Sequence, residues 1–130
     1  MTEYKIAAIM RTDVPMLAPG TPIRRAVALL VDARAAAAPV IGVDGDLVGI
    51  LSQKDCFRPA LHASYYREWK GIVAEHMTRD VVAIEADDDL IRAAEMFITY
   101  PHRVFPVRQG ARIRGLLHRS DVLAALIRIG

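Results

Sequence analysis

The chain has 130 residues, of which 53% are hydrophobic and 25% are charged, so an intrinsically disordered protein is excluded and one domain with its own core is indicated. Its formal net charge of +2 is too small to indicate a dedicated nucleic-acid-binding protein. The chain has one cysteine, no apolar run of the roughly 18 residues that a membrane span needs and no apolar stretch typical of a signal peptide, and we therefore expect a soluble cytoplasmic protein.

The first half of the chain predicts a strand, a helix and a hairpin in that order. The short apolar run from Val14 to Leu17 predicts a strand. Thr21 as N-cap and Pro22 at the first helical position then predict the start of a helix. The apolar residues that follow have helical spacing: Ile23, Ala26, Val27, Leu30 and Val31. Beyond them, two apolar runs flank Asp44-Gly45, which is a strong signal for a β-hairpin.

The middle of the chain predicts a helix and a linker. A helix should follow Lys54, and Pro59 should kink or shorten it. Residues 59–72 contain the single tryptophan and have no counterpart elsewhere in the sequence, so we interpret them as a helical linker. Aromatic side chains in such a segment are more typical of packing than of stacking on a ligand.

The second half repeats the same order of elements. Residues Val81 to Ile84 predict a strand, and Asp87 or Asp88 should cap the helix that Pro101 ends. A second hairpin should turn at Gln109-Gly110. A closing helix should carry one apolar face, formed by Val122, Ala125, Leu126 and Ile129.

The two halves are copies of one unit. Met10-Arg11-Thr12-Asp13-Val14 recurs 67 residues later as Met77-Thr78-Arg79-Asp80-Val81, with arginine and threonine exchanged. Further blocks recur in the same order at offsets of 67 or 66: the apolar face of the first helix, Pro39-Val40 as Pro106-Val107, and Gly49-Ile50-Leu51 with Asp55 as Gly115-Leu116-Leu117 with Asp121.

The predicted order of elements in each copy is therefore β-α-β-β-α, and the predicted fold class is α/β (α+β). One copy alone has too small a core to be secure. We expect the two copies to pack sheet against sheet with pseudo-two-fold symmetry, which would create two equivalent clefts.

The segment from Ser52 to Asp55 has two interpretations. A hydroxyl residue followed three positions later by an acid is the pattern of a capping box at a helix start, and this accounts for the spacing by itself. The same geometry would suit a nucleotide, because free N–H groups at a helix start attract phosphate and a carboxylate can accept both hydrogen bonds of a ribose diol.

The doubled pattern of Met-x-x-x-Val, helix, Pro-Val, Asp-Gly turn and Gly-Ile-Leu-Ser-Gln-Lys-Asp resembles two tandem CBS repeats, which together form a Bateman module. The resemblance covers residues 6 to 128 apart from the linker, and the arrangement is similar to stand-alone bacterial CBS-pair proteins. It implies one module over residues 1–130, with repeats at 6–58 and 73–130 and the linker at 59–72. It also implies a regulatory function, in which AMP, ADP or ATP binds and ligand state passes to a partner through a conformational or oligomeric change. S-adenosylmethionine and NAD rank below these nucleotides.

The resemblance also implies which residues would contact a ligand. The ribose aspartate of the family falls on Asp55 and Asp121, and its hydroxyl position falls on Ser52 and, in the second copy, on His118. The remaining ligand-binding positions that it implies are those near adenine and those lining the clefts: Asp13, Val14, Asp80, Val81, Pro39 and Pro106.

The second copy departs from the family pattern. His118 replaces the hydroxyl residue, where a histidine could donate to phosphate or spoil the site. Positive charge is more plentiful there, since Arg119 is adjacent and His102-Arg103 resembles a phosphate-gripping pair of some members, shifted by one position. We expect the Ser52/Asp55 site to be the more complete ribose site. We expect the site of His118 and Asp121 to have more positive charge available for a phosphate. The alternative is that these arginines only form a solvated surface.

Two other classes of function remain to be compared. An interaction scaffold with degenerate clefts is the alternative, and the resemblance implies a homodimer formed through helices in either case. An enzyme is not expected, because no nucleophile with a base, phosphate-binding loop or set of metal ligands is evident, and Cys56 has no activating partner. No required cofactor, membrane or nucleic-acid partner is expected.

Overall fold

The computed structural model describes residues 5–129, and they form two compact units. The continuous unit is Val14–Val81, and the split unit combines residues 5–13 with residues 82–129. Each unit therefore takes its main body from one sequence copy and a short segment from the other. Residues 5–13, at the start of copy one, belong with the body of copy two, whereas the corresponding start of copy two belongs with the body of copy one.

The continuous unit contains α1 (Ile23–Asp32), β1 (Ala37–Ile41), β2 (Leu47–Ser52), α2 (Phe57–Tyr66) and α3 (Val73–His76). A 3₁₀ turn at Lys54–Cys56 leads into α2. Strands β1 and β2 form the predicted antiparallel hairpin, in which Pro39 lies opposite Ile50. The core between this hairpin and the helices includes Leu17, Leu30, Val40, Leu51 and Val73. Trp69 packs against it, as expected, whereas Tyr65 and Tyr66 of the same linker are exposed.

The split unit contains a 3₁₀ turn at Ile6–Ala8, then β3 (Ile84–Glu85), α4 (Leu90–Thr99), β4 (Val104–Gln109), β5 (Arg112–His118) and α5 (Arg119–Ile129). Its sheet has the order β3-β4-β5, with β3 parallel to β4 and β4 antiparallel to β5. Phe105 and Leu117 are fully buried in its core, together with Ile6 from the start of the chain.

The mixed fold and both hairpins are as predicted, whereas the first strand of each copy is much shorter. Of Val14 to Leu17, Leu17 alone pairs with a strand, in a parallel bridge to Val40. Pro15 has no N–H group to donate to a longer ladder. In copy two the strand begins only at Ile84 and pairs with Val107 and Arg108.

The helix starts also differ from the prediction. Pro22, not Thr21, is the N-cap of α1, because Pro22 is extended and forms an antiparallel bridge with Ile72. Asp89 caps α4 by accepting from Arg92 N at 3.0 Å. Asp88, one of the two predicted caps, instead accepts from Glu85 N at 3.1 Å.

Pro59 does not shorten the helix that contains it, contrary to one of the two effects predicted for it. It is the third residue of α2, which runs for 10 residues. In the first turn of a helix the missing N–H of proline would have no intrahelical partner in any case. The chain therefore continues through Pro59 to Tyr66 without loss of a hydrogen bond.

Candidate functional site

The end of β2 and the start of α2 hold Ser52 and Asp55 in reciprocal contact. Asp55 N donates to Ser52 Oγ at 3.2 Å, and Ser52 N donates to Asp55 Oδ2 at 3.0 Å. This is the capping box that the spacing predicts, and it fixes both side chains at the point where the strand ends. Among the described residues, Asp55 Oδ1 accepts no hydrogen bond.

A segment from the start of copy two lies beside this point. Thr78 and Ile50 exchange two backbone hydrogen bonds, each of 2.9 Å. The approach needs glycine at position 49, since a Cβ there would lie 2.7 Å from Met77 Sδ and 2.9 Å from the carbonyl oxygen of Thr78. Thr78 therefore has a fixed position at the edge of β2 in the continuous unit, and it is exposed.

The split unit repeats this arrangement with the other sequence segment. Arg11 N donates to Leu116 O at 2.8 Å and Leu116 N donates to Arg11 O at 2.9 Å. Gly115 occupies the position of Gly49, and a Cβ there would lie 2.3 Å from the carbonyl oxygen of Arg11. Arg11 thus stands in the split unit where Thr78 stands in the continuous unit.

Arg11 forms a bidentate ion pair with Asp121. The Nε group donates to Oδ2 at 2.8 Å and Nη2 donates to Oδ1 at 3.2 Å. This pairing lowers the pKa of Asp121 below its ordinary value and raises that of Arg11. Both carboxylate oxygens of Asp121 therefore face a cation, unlike those of Asp55.

His118, at the end of β5, differs from Ser52 in its chemistry as well as its size. Its Nδ1 atom is buried and has no hydrogen-bond partner among the described residues. Burial and the charge of Arg11 lower the pKa of His118, against the opposing effect of Asp121. The imidazole is therefore held in its neutral form near neutral pH, which weakens the expectation that a protonated His118 grips phosphate.

The other predicted site residues are divided between the two units. Val14, Asp80 and Val81 belong to the continuous unit with Asp55, whereas Asp13 belongs to the split unit, where its charge raises the pKa of Arg11. Pro39 and Pro106 are buried within β1 and β4. Arg103 and Arg119 are exposed and are joined by a backbone hydrogen bond of 3.0 Å from Arg119 N to Arg103 O.

An apolar cavity of about 190 Å³ lies between α1 and the start of α2, lined by residues that include Val27, Gln53 and Phe57. Cys56 also lines it, and its Sγ donates to Ser52 O at 3.4 Å. Burial and, to a smaller extent, the charge of Asp55 together raise the pKa of this thiol to about 11. A thiol in this state is a poor nucleophile.

Sequence reasoning did not select Arg11 or Thr78 as site residues. The signal was the exchange of arginine and threonine between the two copies, which places a charged residue where the other copy has a neutral one. Among residues 5–129 no cluster of histidine, cysteine or carboxylate side chains could hold a metal ion. Over the same residues, none of the helices has the length and apolar character to cross a membrane.

Comparison with known proteins gives a consistent family and fold. The family model described as CBS domain matches residues 6–61 and 73–128. A comparison with curated proteins finds no match to the sequence.

Among solved structures, CBSX2 from Arabidopsis thaliana in complex with AMP is 25% identical, with a TM-score of 0.82 over 97% of this chain and 98% of that one. The CBS domain pair of MJ0100, in complex with 5′-methylthioadenosine and S-adenosyl-L-methionine, is 20% identical, with a TM-score of 0.82 over 99% and 100% of the two chains. The CBS-domain containing protein ATU1752 from Agrobacterium tumefaciens is 22% identical, with a TM-score of 0.79 over 97% and 95%.

Proposed function

This chain belongs to the CBS domain family, and we propose that it is a regulatory Bateman module that binds an adenine nucleotide such as AMP, ADP or ATP. Ligand binding would shift the population toward one conformational or oligomeric state, and a partner protein would respond to that state. The proposal keeps a repeat at 6–58, a linker at 59–72 and a second repeat at 73–130, as well as a cytoplasmic location and a role other than catalysis.

Support for the ligand class comes from the relative that binds AMP. CBSX2 in complex with AMP matches this chain over nearly its full length at 25% identity. The pair from MJ0100 supports the fold alone at its 20% identity, so S-adenosylmethionine stays a secondary candidate.

The observation that carries the proposal is that the capping box leaves hydrogen-bonding capacity on both Ser52 and Asp55. The box uses one carboxylate oxygen of Asp55 and one lone pair of Ser52 Oγ. Asp55 Oδ1 can still accept from a ribose hydroxyl, and the Ser52 hydroxyl proton can be donated to a phosphate oxygen. The capping box and the ligand site are therefore compatible, and the box holds both groups in place before a ligand arrives.

A series of thermal melts tests the proposal. The wild type and Asp55→Ala should be compared with AMP, ADP, ATP, S-adenosylmethionine and NAD, with GMP as a test of the base. Ligand at about 100 times its dissociation constant should stabilise the wild type by about 2.7 kcal/mol. The shift with the preferred nucleotide should be strongly reduced in Asp55→Ala.

Asp32→Ala is the matched control, because it removes an exposed carboxylate from the end of α1, a different part of the same unit. It should shift as the wild type does. If none of the adenine ligands shifts the wild type, or if Asp32→Ala and Asp55→Ala respond alike, the nucleotide proposal is wrong.

An interaction scaffold with unused sites is the second candidate. The engagement of Asp121 by Arg11 favours it, because a carboxylate that is already paired is a poorer ligand group. Its prediction is a stable oligomer whose melting temperature and mass do not change with any of these nucleotides.

A further inference from the structure

We infer that Arg11 makes the split unit selective for ligands that carry phosphate. In the free protein the Arg11 guanidinium is bound to the Asp121 carboxylate. A ligand must displace the guanidinium to bind both oxygens of that carboxylate. A neutral nucleoside cannot replace this ion pair, whereas a nucleotide brings an anion to which the released guanidinium can bind. The inference rests on the proposed function and adds to it a residue that determines specificity.

The backbone of Arg11 is held near Asp121 by contacts other than the ion pair. Two backbone hydrogen bonds to Leu116 fix its main chain, and Gly115 lets the strands approach closely. Asp121 is fixed by the first turn of α5. The side chains therefore meet without a large loss of conformational freedom, and both are accessible to a ligand, with exposed fractions of 49% and 31%.

The geometry of the Asp121 carboxylate determines whether a ribose can bind while Arg11 is in place. A ribose diol is best recognised when its two neighbouring hydroxyl groups donate to the two oxygens of one carboxylate. The guanidinium of Arg11 donates to these same two oxygens in the same side-by-side manner. The lone pairs that remain point away from each other, so a cis-diol cannot use both oxygens while Arg11 is in place.

Displacement of Arg11 from Asp121 has a cost in free energy that a phosphate group can offset and a neutral ligand cannot. Separating Arg11 from Asp121 without a replacement gives up charge-assisted hydrogen bonds, and a neutral diol restores only those to Asp121. A phosphate group restores those to Arg11, for which guanidinium has a matching planar fork. His118 is held neutral here, so it does not provide that charge.

The continuous unit provides the internal contrast. Thr78 occupies the position of Arg11, and Asp55 forms no ion pair with any residue from 5 to 129. A ligand there meets one free carboxylate oxygen and no cation that must first be moved. The two copies therefore differ at one position in a way that predicts different ligand preferences.

The test measures adenosine, AMP and inorganic phosphate by isothermal titration, in an Asp55→Ala background that isolates the split unit. Charged hydrogen bonds of this kind correspond to roughly 10- to 100-fold in affinity, so AMP should bind tighter than adenosine by about that factor. Arg11→Thr, which installs the residue of the other copy, should bind adenosine more tightly and AMP more weakly, so that the ratio falls to a few-fold. Arg112→Thr, an exposed arginine of β5, is the control for net charge and should keep the original ratio.

A second measurement follows the Nε–H resonance of Arg11, which should shift when AMP is added and not when adenosine is added at the same concentration. Phosphate alone should shift it weakly if the phosphate group is the part recognised. An unchanged AMP-to-adenosine ratio in Arg11→Thr, with binding intact, would overturn the role of Arg11 and leave the proposed function standing. If the Asp55→Ala protein binds neither ligand, with or without Arg11→Thr, the inference about the split unit is overturned, whereas the proposed function, which rests on Ser52 and Asp55, still stands. Binding of adenosine by the Arg11→Thr form alone would likewise overturn the selectivity for phosphate, because Arg11 would then exclude AMP as well.

Discussion

Gly115 and the carbonyl oxygen of Arg11 are in contact so close that no other residue fits at position 115. A Cβ at this position would lie 2.3 Å from that oxygen, well inside any real contact distance. The atom in the way is backbone, and it belongs to the two hydrogen bonds that join Arg11 to Leu116. Placement of the Arg11 side chain therefore depends on a glycine more than 100 residues later in the sequence.

Gly115→Ala should lower the free energy of unfolding by about 2 to 3 kcal/mol, because overpacking displaces the backbone of Arg11 and breaks its two hydrogen bonds to Leu116. Gly49→Ala should cost less, since its Cβ would lie 2.9 Å from the nearest backbone atom, the carbonyl oxygen of Thr78, and the still nearer Met77 sulfur belongs to a flexible side chain. Urea denaturation monitored by circular dichroism measures both. Gly20→Ala is the control with nothing within 4 Å, and a loss for Gly115→Ala no larger than for this variant would refute the contact.

His118 should make the protein less stable in mildly acidic solution. Its pKa is lowered in the folded state by burial and by Arg11, so the unfolded chain binds more protons as pH falls through the ordinary histidine value of 6.5. Stability is therefore full above that value and declines below it, toward the lower pKa of the folded state. His118→Gln should flatten this decline between about pH 7.5 and pH 5.5 in denaturation curves.

His62→Gln is the control for this pH dependence. His62 is exposed in α2 and faces Tyr66 with ring centroids 4.7 Å apart. It should leave the decline unchanged. Equal slopes for the wild type and His118→Gln would show that another group is responsible.

Cys56 should resist alkylation in the folded protein. A pKa raised from 9.0 to about 11 reduces the thiolate fraction at pH 8 by about 100-fold, and the residue is only 6% exposed. Mass spectrometry after iodoacetamide should show slow modification without denaturant and rapid modification in urea. Comparable rates in both conditions would contradict the buried, protonated state.

The helices of the split unit should mediate self-association if the proposed homodimer forms. Ile98 of α4 and Ile127 of α5 are large apolar side chains that are 86% and 78% exposed, so they are the residues of these helices that an interface would cover with the largest gain. The double variant Ile98→Arg/Ile127→Arg should halve the mass measured by light scattering. Val43→Arg, at the fully exposed turn of the first hairpin, should retain the mass of the wild type, and a monomeric wild type would refute the dimer.

Predictions from the sequence succeeded where the information is local. The Ser52/Asp55 capping box follows from a spacing of three residues, and the hairpin turns follow from dipeptides such as Asp44-Gly45. The predicted ends of helices and strands were wrong by one or a few residues. Asp89 caps α4 because Asp88 is engaged by Glu85 N, and a competition between adjacent aspartates cannot be resolved from their order alone.

The sequence by itself determined that two copies of one unit exist, which faces of their helices are apolar, and where an acid follows the last strand of each. Only the tertiary structure decided that Asp121 is paired with a cation and that, within the part of the chain that the structure describes, Asp55 is not. The reason is that Arg11 and Thr78 pair with strand residues far away in the sequence, and backbone pairing over such distances leaves no periodic pattern to be read. Once that pairing is known, the exchange of arginine for threonine accounts for the ion pair at Asp121.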